Sequence, residues 1–173
     1  KTTSGDIQTQ AFVTIERILN KEGLHSDIYL VIAHAIADIA INTSGLIKES
    51  TVTSLERVLN REGLRDRTYS AAADTIAKIV KTTSGDIQTQ AFSALERVLN
   101  KEGLYDSVYH AAAYAIADIA GSTPGLIQES TVTTIESILN KEGLHDFVYS
   151  AAANAMAEIA NNKPALLFRV YPI

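Results

Sequence analysis

The chain has 173 residues, no Cys and a formal net charge of −5. A chain of this length buries roughly 70% of the surface its unfolded form exposes, so a sizeable core forms without staples. Without thiols there is no disulfide framework and no thiolate metal site, and the acidic balance argues against nucleic acid, whose binding rests on Lys and Arg neutralising phosphates.

Hydrophobic residues make up 46% of the chain and charged ones 20%, the balance of a globular protein rather than a disordered one. No apolar run approaches the roughly 20 residues that span a bilayer, so no membrane partner is expected. No secretory signal is read at the start. Opening on Lys1 rather than Met fits a processed chain or a piece of a longer one, and a cytoplasmic location is only a default expectation.

Internal repetition decides the fold before any secondary structure does. The period is forty residues, giving units 1–40, 41–80, 81–120 and 121–160, followed by an apolar tail over 161–173. The first and third units agree at 28 of 40 positions and the first and second at 16, so the duplicated unit is the eighty-residue pair. KTTSGDIQTQAF recurs at 1 and 81, and GLIKESTV at 45 answers GLIQESTV at 125.

Within each unit the pattern predicts two helices. Ala11, Phe12, Ile15, Ile18 and Leu19 fall at helical spacing and bury one face of the first. Asn20-Lys21-Glu22-Gly23-Leu24 stops it. Gly23, Gly63, Gly103 and Gly143 suit the left-handed position of a Schellman cap, with the following Leu folding back on the helix. Ser26, Asp66, Asp106 and Asp146 then read as N-caps of a long second helix. Two helices joined by so short a turn lie antiparallel. The start of the first helix is less defined. Thr53, Ser93 and Thr133 stand three residues before Glu56, Glu96 and Glu136, the capping-box spacing, and the preceding GDIQTQ or GLIKES is a short helix or turn that can fuse with it.

The second helix is rich in Ala, as at Ala71-Ala72-Ala73, Ala111-Ala112-Ala113 and Ala151-Ala152-Ala153, which lets neighbouring backbones approach. A helix apolar around most of its circumference has to be covered on several sides, and stacked hairpins supply the cover. The first unit has Leu30-Val31-Ile32 there instead.

The run Val148 to Ala160, together with Gly-Leu-Ile-x-Glu-Ser in the even units, resembles armadillo repeats and more loosely HEAT repeats. The resemblance spans the four units and implies an all-α, right-handed α-solenoid of four 40-residue helical hairpins. It also implies a non-catalytic scaffold that takes a polypeptide along the concave face of the long helices. Armadillo proteins that grip extended peptides carry a Trp and, four residues later, an Asn on the long helix. Here those places hold His34, Asp74, Tyr114 and Asn154, then Asp38, Lys78, Asp118 and Glu158, so neither column keeps the family residue.

The residues point to the same surface on their own account. Leu30, His34 and Asp38; Ser70, Asp74 and Lys78; His110, Tyr114 and Asp118; and Ser150, Asn154 and Glu158 each lie on one helix face by i, i+4 geometry. These columns vary while Ala33, Ala37 and Ile39 recur, which in a repeat protein marks where a partner is read. The competing account is a solvated face free to drift.

Acidic groups at regular spacing suit an extended basic peptide, with Tyr114 and His34 as flat surfaces for a Lys or Arg stem. A self-assembling structural protein, associating head to tail through apolar ends, is the alternative, and an engineered consensus array is a third reading. No cofactor motif, Ser-centred elbow, HExxH or phosphate-cradling loop occurs, and no metal-ligand set recurs around His34 and Asp38 or His110 and Asp118. Repeats multiply each side chain, whereas catalysis needs unlike groups converging once, so no enzyme is expected. Tyr29, Tyr69, Tyr109 and Tyr149 read as packing residues with satisfied hydroxyls, Asn20, Asn60, Asn100 and Asn140 as turn residues, and the tail as an apolar cap.

Overall fold

The computed structural model describes residues 4–166. Those residues are helical throughout, with turns between helices and no strand. The helices are α1 (Ser4–Leu19), α2 (Ser26–Asn42), α3 (Glu49–Leu59), α4 (Asp66–Thr82), α5 (Gly85–Asn100), α6 (Asp106–Ser122), α7 (Glu129–Leu139) and α8 (Asp146–Asn162). Short 3₁₀ turns at Ser44–Leu46 and Pro124–Leu126 precede α3 and α7.

Consecutive helices pair across each glycine turn, and like helices stack in chain order. The long helices α2, α4, α6 and α8 form one row, and α1, α3, α5 and α7 form a second against it. Between the rows lies one continuous apolar core running from Phe12 to Leu166.

The Ala-rich helices close the long row tightly. Ala71, Ala72 and Ala73 are at most 3% exposed, and the Thr75 hydroxyl of α4 reaches the Ala33 carbonyl of α2 at 3.0 Å. A side chain can bond a neighbouring helix's backbone only where small residues permit that approach. Thr68 makes a second such bridge, donating to the Ser26 carbonyl at 3.2 Å, with its hydroxyl also 2.7 Å from that of Ser26.

Odd and even units differ at the start of the first helix, and one residue accounts for it. In the even units Thr51 and Thr131 are fully buried, and their hydroxyls accept the backbone N–H of Lys48 and Gln128 at 3.2 Å. That bond supports a fresh helix start after an extended residue. The odd units have Ala11 and Ala91 at this place, with no hydroxyl to hold the break, and GDIQTQ runs into the helix. The capping box expected at Thr53, Ser93 and Thr133 is therefore displaced. Those residues lie inside helices, where Thr53 and Thr133 bond back to the carbonyls of Glu49 and Glu129.

The glycine turns are also built differently from expectation. Gly23, Gly63, Gly103 and Gly143 take φ of 71°, 72°, 74° and 80°, as only glycine readily does. Yet α3 and α7 end at Leu59 and Leu139 with Asn60 and Asn140, three residues before the glycines, as their C-caps, so the glycines shape the turn rather than cap the helix. The lock comes from the tyrosine column. Tyr29, Tyr69, Tyr109 and Tyr149 donate to the carbonyls of Lys21, Arg61, Lys101 and Lys141 at 2.5–2.7 Å, eight residues back. A turn carbonyl that no helix bond satisfies gains a partner in this way.

The expected N-caps at Ser26, Asp66, Asp106 and Asp146 are each displaced by one residue. The capping positions are His25, Arg65, Tyr105 and His145. Two of the four expected residues bond across to the next unit instead: Ser26 accepts the Arg65 N–H at 3.0 Å and Asp106 accepts that of His145 at 2.8 Å. The tail reading falls mainly on residues 167–173, outside the described residues. Just before them Leu166 is 7% exposed and joins the core.

Candidate functional site

The variable stripe lies along the outer side of the long-helix row. His34, Asp74, Tyr114 and Asn154 are all exposed, as are Asp38 and Asp118, while Lys78 and Glu158 are half-buried. At the start of the stripe Ser150 is exposed, Ser70 and His110 are half-buried, and Leu30 turns inward against the core.

Adjacent units bring their stripe residues together. Ser70 and Asp74 of α4 share a hollow with His110 and Tyr114 of α6, floored by Ala111. His110 and Tyr114 share the next with Phe147, Ser150 and Asn154 of α8. A third hollow, of about 310 Å³, lies between Tyr114, Ala117, Asp118, Gly121 and Ser122 on one side and Asn154 and Glu158 on the other. Leu30, His34 and Asp38 line none of the three. His34 is linked to the groove electrostatically, through Asp74.

Rings gather at the junction of the third and fourth units. His110 lies 6.1 Å from Tyr114, stacked, and 5.3 Å from Phe147, edge-on, while His145 lies 4.5 Å from Phe147. Tyr114 remains 56% exposed, a large apolar face open to a partner.

Four carboxylates and two ammonium groups set the charge. Although the Asp74 side chain is open to solvent, the flanking helices shield its carboxyl in part and push it above its ordinary range. The charge of Asp118 adds to this, while Lys78, His34 and Lys81 pull it down. Lys81, from the last turn of α4, forms an ion pair with Asp118 of α6. The corresponding partner for Glu158 would be residue 121, which is glycine. A Cβ there would stand 3.4 Å from the Glu158 carboxylate, so the two positions face each other with no side chain between. Glu158 accepts a hydrogen bond from Asn162 of its own helix at 3.1 Å.

Lys81, Gly121 and Phe147 are the neighbours of the stripe that reading columns 30, 34 and 38 misses. Each lies one helical turn beyond the stripe, at i+3 from the last column or i−3 from the first. Extending the same periodicity by a turn at either end finds them.

Among the described residues, no three His, Asp or Glu side chains gather as a metal site would require, and no helix is long and apolar enough to cross a membrane. A scan against protein-family models, a search of curated proteins and a search of solved structures each found no match.

Proposed function

We propose that the chain is a right-handed α-solenoid of the armadillo or HEAT kind, acting as a non-catalytic scaffold. Its stripe takes an extended basic polypeptide across the long helices. The observation that carries this reading is the contrast between two neighbouring junctions. Between the second and third units the groove holds an ammonium of the chain's own, Lys81 on Asp118. Between the third and fourth units Gly121 leaves the same place open, with Glu158 and the exposed ring of Tyr114 on its walls. A Lys or Arg from a partner fits there, its stem along the ring and its charge on the carboxylate.

Such contacts are exposed and individually weak. Screening over a Debye length of about 8 Å at physiological ionic strength leaves only the close ones effective. The test is a titration of Lys/Arg-rich peptides into wild type and an Asp74→Lys, Glu158→Lys double variant, which spares the Lys81–Asp118 pair. Wild type is expected to bind at low salt and weakly at physiological salt, with at least a tenfold loss in the variant. Equal affinity in both proteins places the binding surface elsewhere, and no binding at low salt refutes the reading.

A further inference from the structure

Two kinds of junction alternate along the stack. Where an odd unit meets the next even one, hydroxyls and amides join the short helices, with Arg57 also donating to Asn20 at 3.1 Å. At the first such junction Asp27 also pairs with Arg65 and Arg67 at the start of the long helices. Thr51 and Thr131 donate to Glu16 and Glu96, Ser54 donates to Asn20, and Asn100 donates to Thr134. Where the even second unit meets the odd third, two cations and a carboxylate join the short-helix side instead. Arg97 clamps Glu56 with bonds of 2.9 and 2.7 Å, and Lys101 donates to Asn60 at 2.8 Å.

The first described hairpin belongs to an odd unit and the last to an even one, and their outer faces carry the second code. Glu136 and Asn140 stand where Glu56 and Asn60 do, and Arg17 and Lys21 where Arg97 and Lys101 do. The apolar surfaces match as well. Ala73 and Ala77, at 0% and 1% exposure, lie covered, whereas their counterparts Ala153 and Ala157 are open. On the other side Val108 and Ala111 are 0% and 4% exposed, and their counterparts Ile28 and Val31 are 41% and 66% exposed.

We infer that the α7–α8 end of one copy docks on the α1–α2 end of another, repeating the junction between the second and third units, with Arg17 of one copy clamping Glu136 of the next. The occupant is a second copy because each open face finds its apolar and charged complement on the other end of the same chain. A head-to-tail contact of this kind does not use up its own surfaces, so it extends into longer assemblies unless the rotation closes a ring. Val31 is two carbons larger than Ala111, and no covalent link holds the two copies in place. The contact is therefore looser than its internal counterpart and forms only as concentration rises.

This inference is independent of the peptide groove, and its test uses the full chain alone. Sedimentation at increasing concentration should show the average mass rising from that of the monomer. Arg17→Glu and Glu136→Arg should each hold the mass near the monomer, and an equimolar mixture of the two should regain the rise, since every junction in an alternating assembly is then complementary. Val31→Ala should tighten association, because it restores the close seam. A merely sticky patch would respond in the opposite way, losing association with the lost apolar area. A wild type that stays monomeric at every concentration, a mixture that fails to recover, or a Val31→Ala variant that associates less overturns the inference.

Discussion

The first and third units are near copies in sequence and unlike in surroundings. Val31 is 66% exposed and its counterpart Ala111 is 4% exposed; Ile28 is 41% exposed and Val108 fully buried. Ile15 is half-buried where Leu95 is sealed, and Ala11 is open where Ala91 is covered. The third unit is pressed on both sides and the first on one. Burial in this molecule belongs to the junction rather than to the residue, and a substitution should cost what its junction makes it cost. The fourth unit gives the same contrast at the other end.

The largest effect expected from that contrast is at the alanine seam. Ala113 has no exposed surface, and its counterpart Ala153 is open. Ala113→Leu forces α6 and α8 apart and should cost about 3 kcal/mol or more, near the top of the range for overpacking. Ala153→Leu should lie within about 0.5 kcal/mol of wild type, as surface changes do. Urea unfolding of both, at a concentration low enough to keep the chain monomeric, checks this. Equal costs would show that the last face is covered after all.

The tyrosine locks should rank next. Tyr109 is 1% exposed, and its hydroxyl donates to the Lys101 carbonyl while accepting from Leu104 N–H at 3.4 Å and Lys141 at 3.1 Å. Tyr109→Phe strands that carbonyl and should cost about 2 kcal/mol. Tyr149 makes the same bond at the half-buried end of the stack. Water can replace its hydroxyl there, and Tyr149→Phe should cost about 0.5 kcal/mol. Hydrogen exchange at the glycine turns would sharpen the comparison, with the turn at Gly103 losing more protection than that at Gly143.

The smallest effect is electrostatic and depends on pH. Partial shielding between α2 and α6 raises the Asp74 carboxyl above its ordinary 3.8, so the folded chain holds that proton more tightly than the unfolded one. The protonated group's contribution is fully present below the ordinary value and is lost as pH rises through the folded one. Asp74→Asn cannot ionise and should melt about 1–2 °C above wild type at neutral pH. The advantage should close as pH falls toward 4. A variant less stable than wild type at neutral pH would mean that the carboxylate is held by its cations rather than penalised by its burial.

Much of the helical frame was legible. Fourfold repetition, the glycine stops, the apolar faces of both helices and the alternation of eighty-residue pairs all follow from local periodicity. The legible part of the site was its columns, because i, i+4 neighbours share a helix face whatever the fold. Its chemistry was less so. Lys81 on Asp118 and the opening between Gly121 and Glu158 join residues of different long helices some 37 positions apart, and no local pattern pairs them. The caps were misread for a related reason. Ser26 and Asp106 have the side chains that a helix start favours, but they bond the next unit's backbone, a competitor visible only once the units are stacked.

The sequence by itself determined that there are helices, where they stop, and that they come in a repeating pair, because propensity, turn chemistry and hydrophobic spacing act over a few residues. Only the tertiary structure decided which of several identical alanines is sealed, which carboxylate already has its cation, and which hollow stands open. Those properties depend on the residue some forty positions away that faces each one, and the two outer faces have no such residue among the described ones.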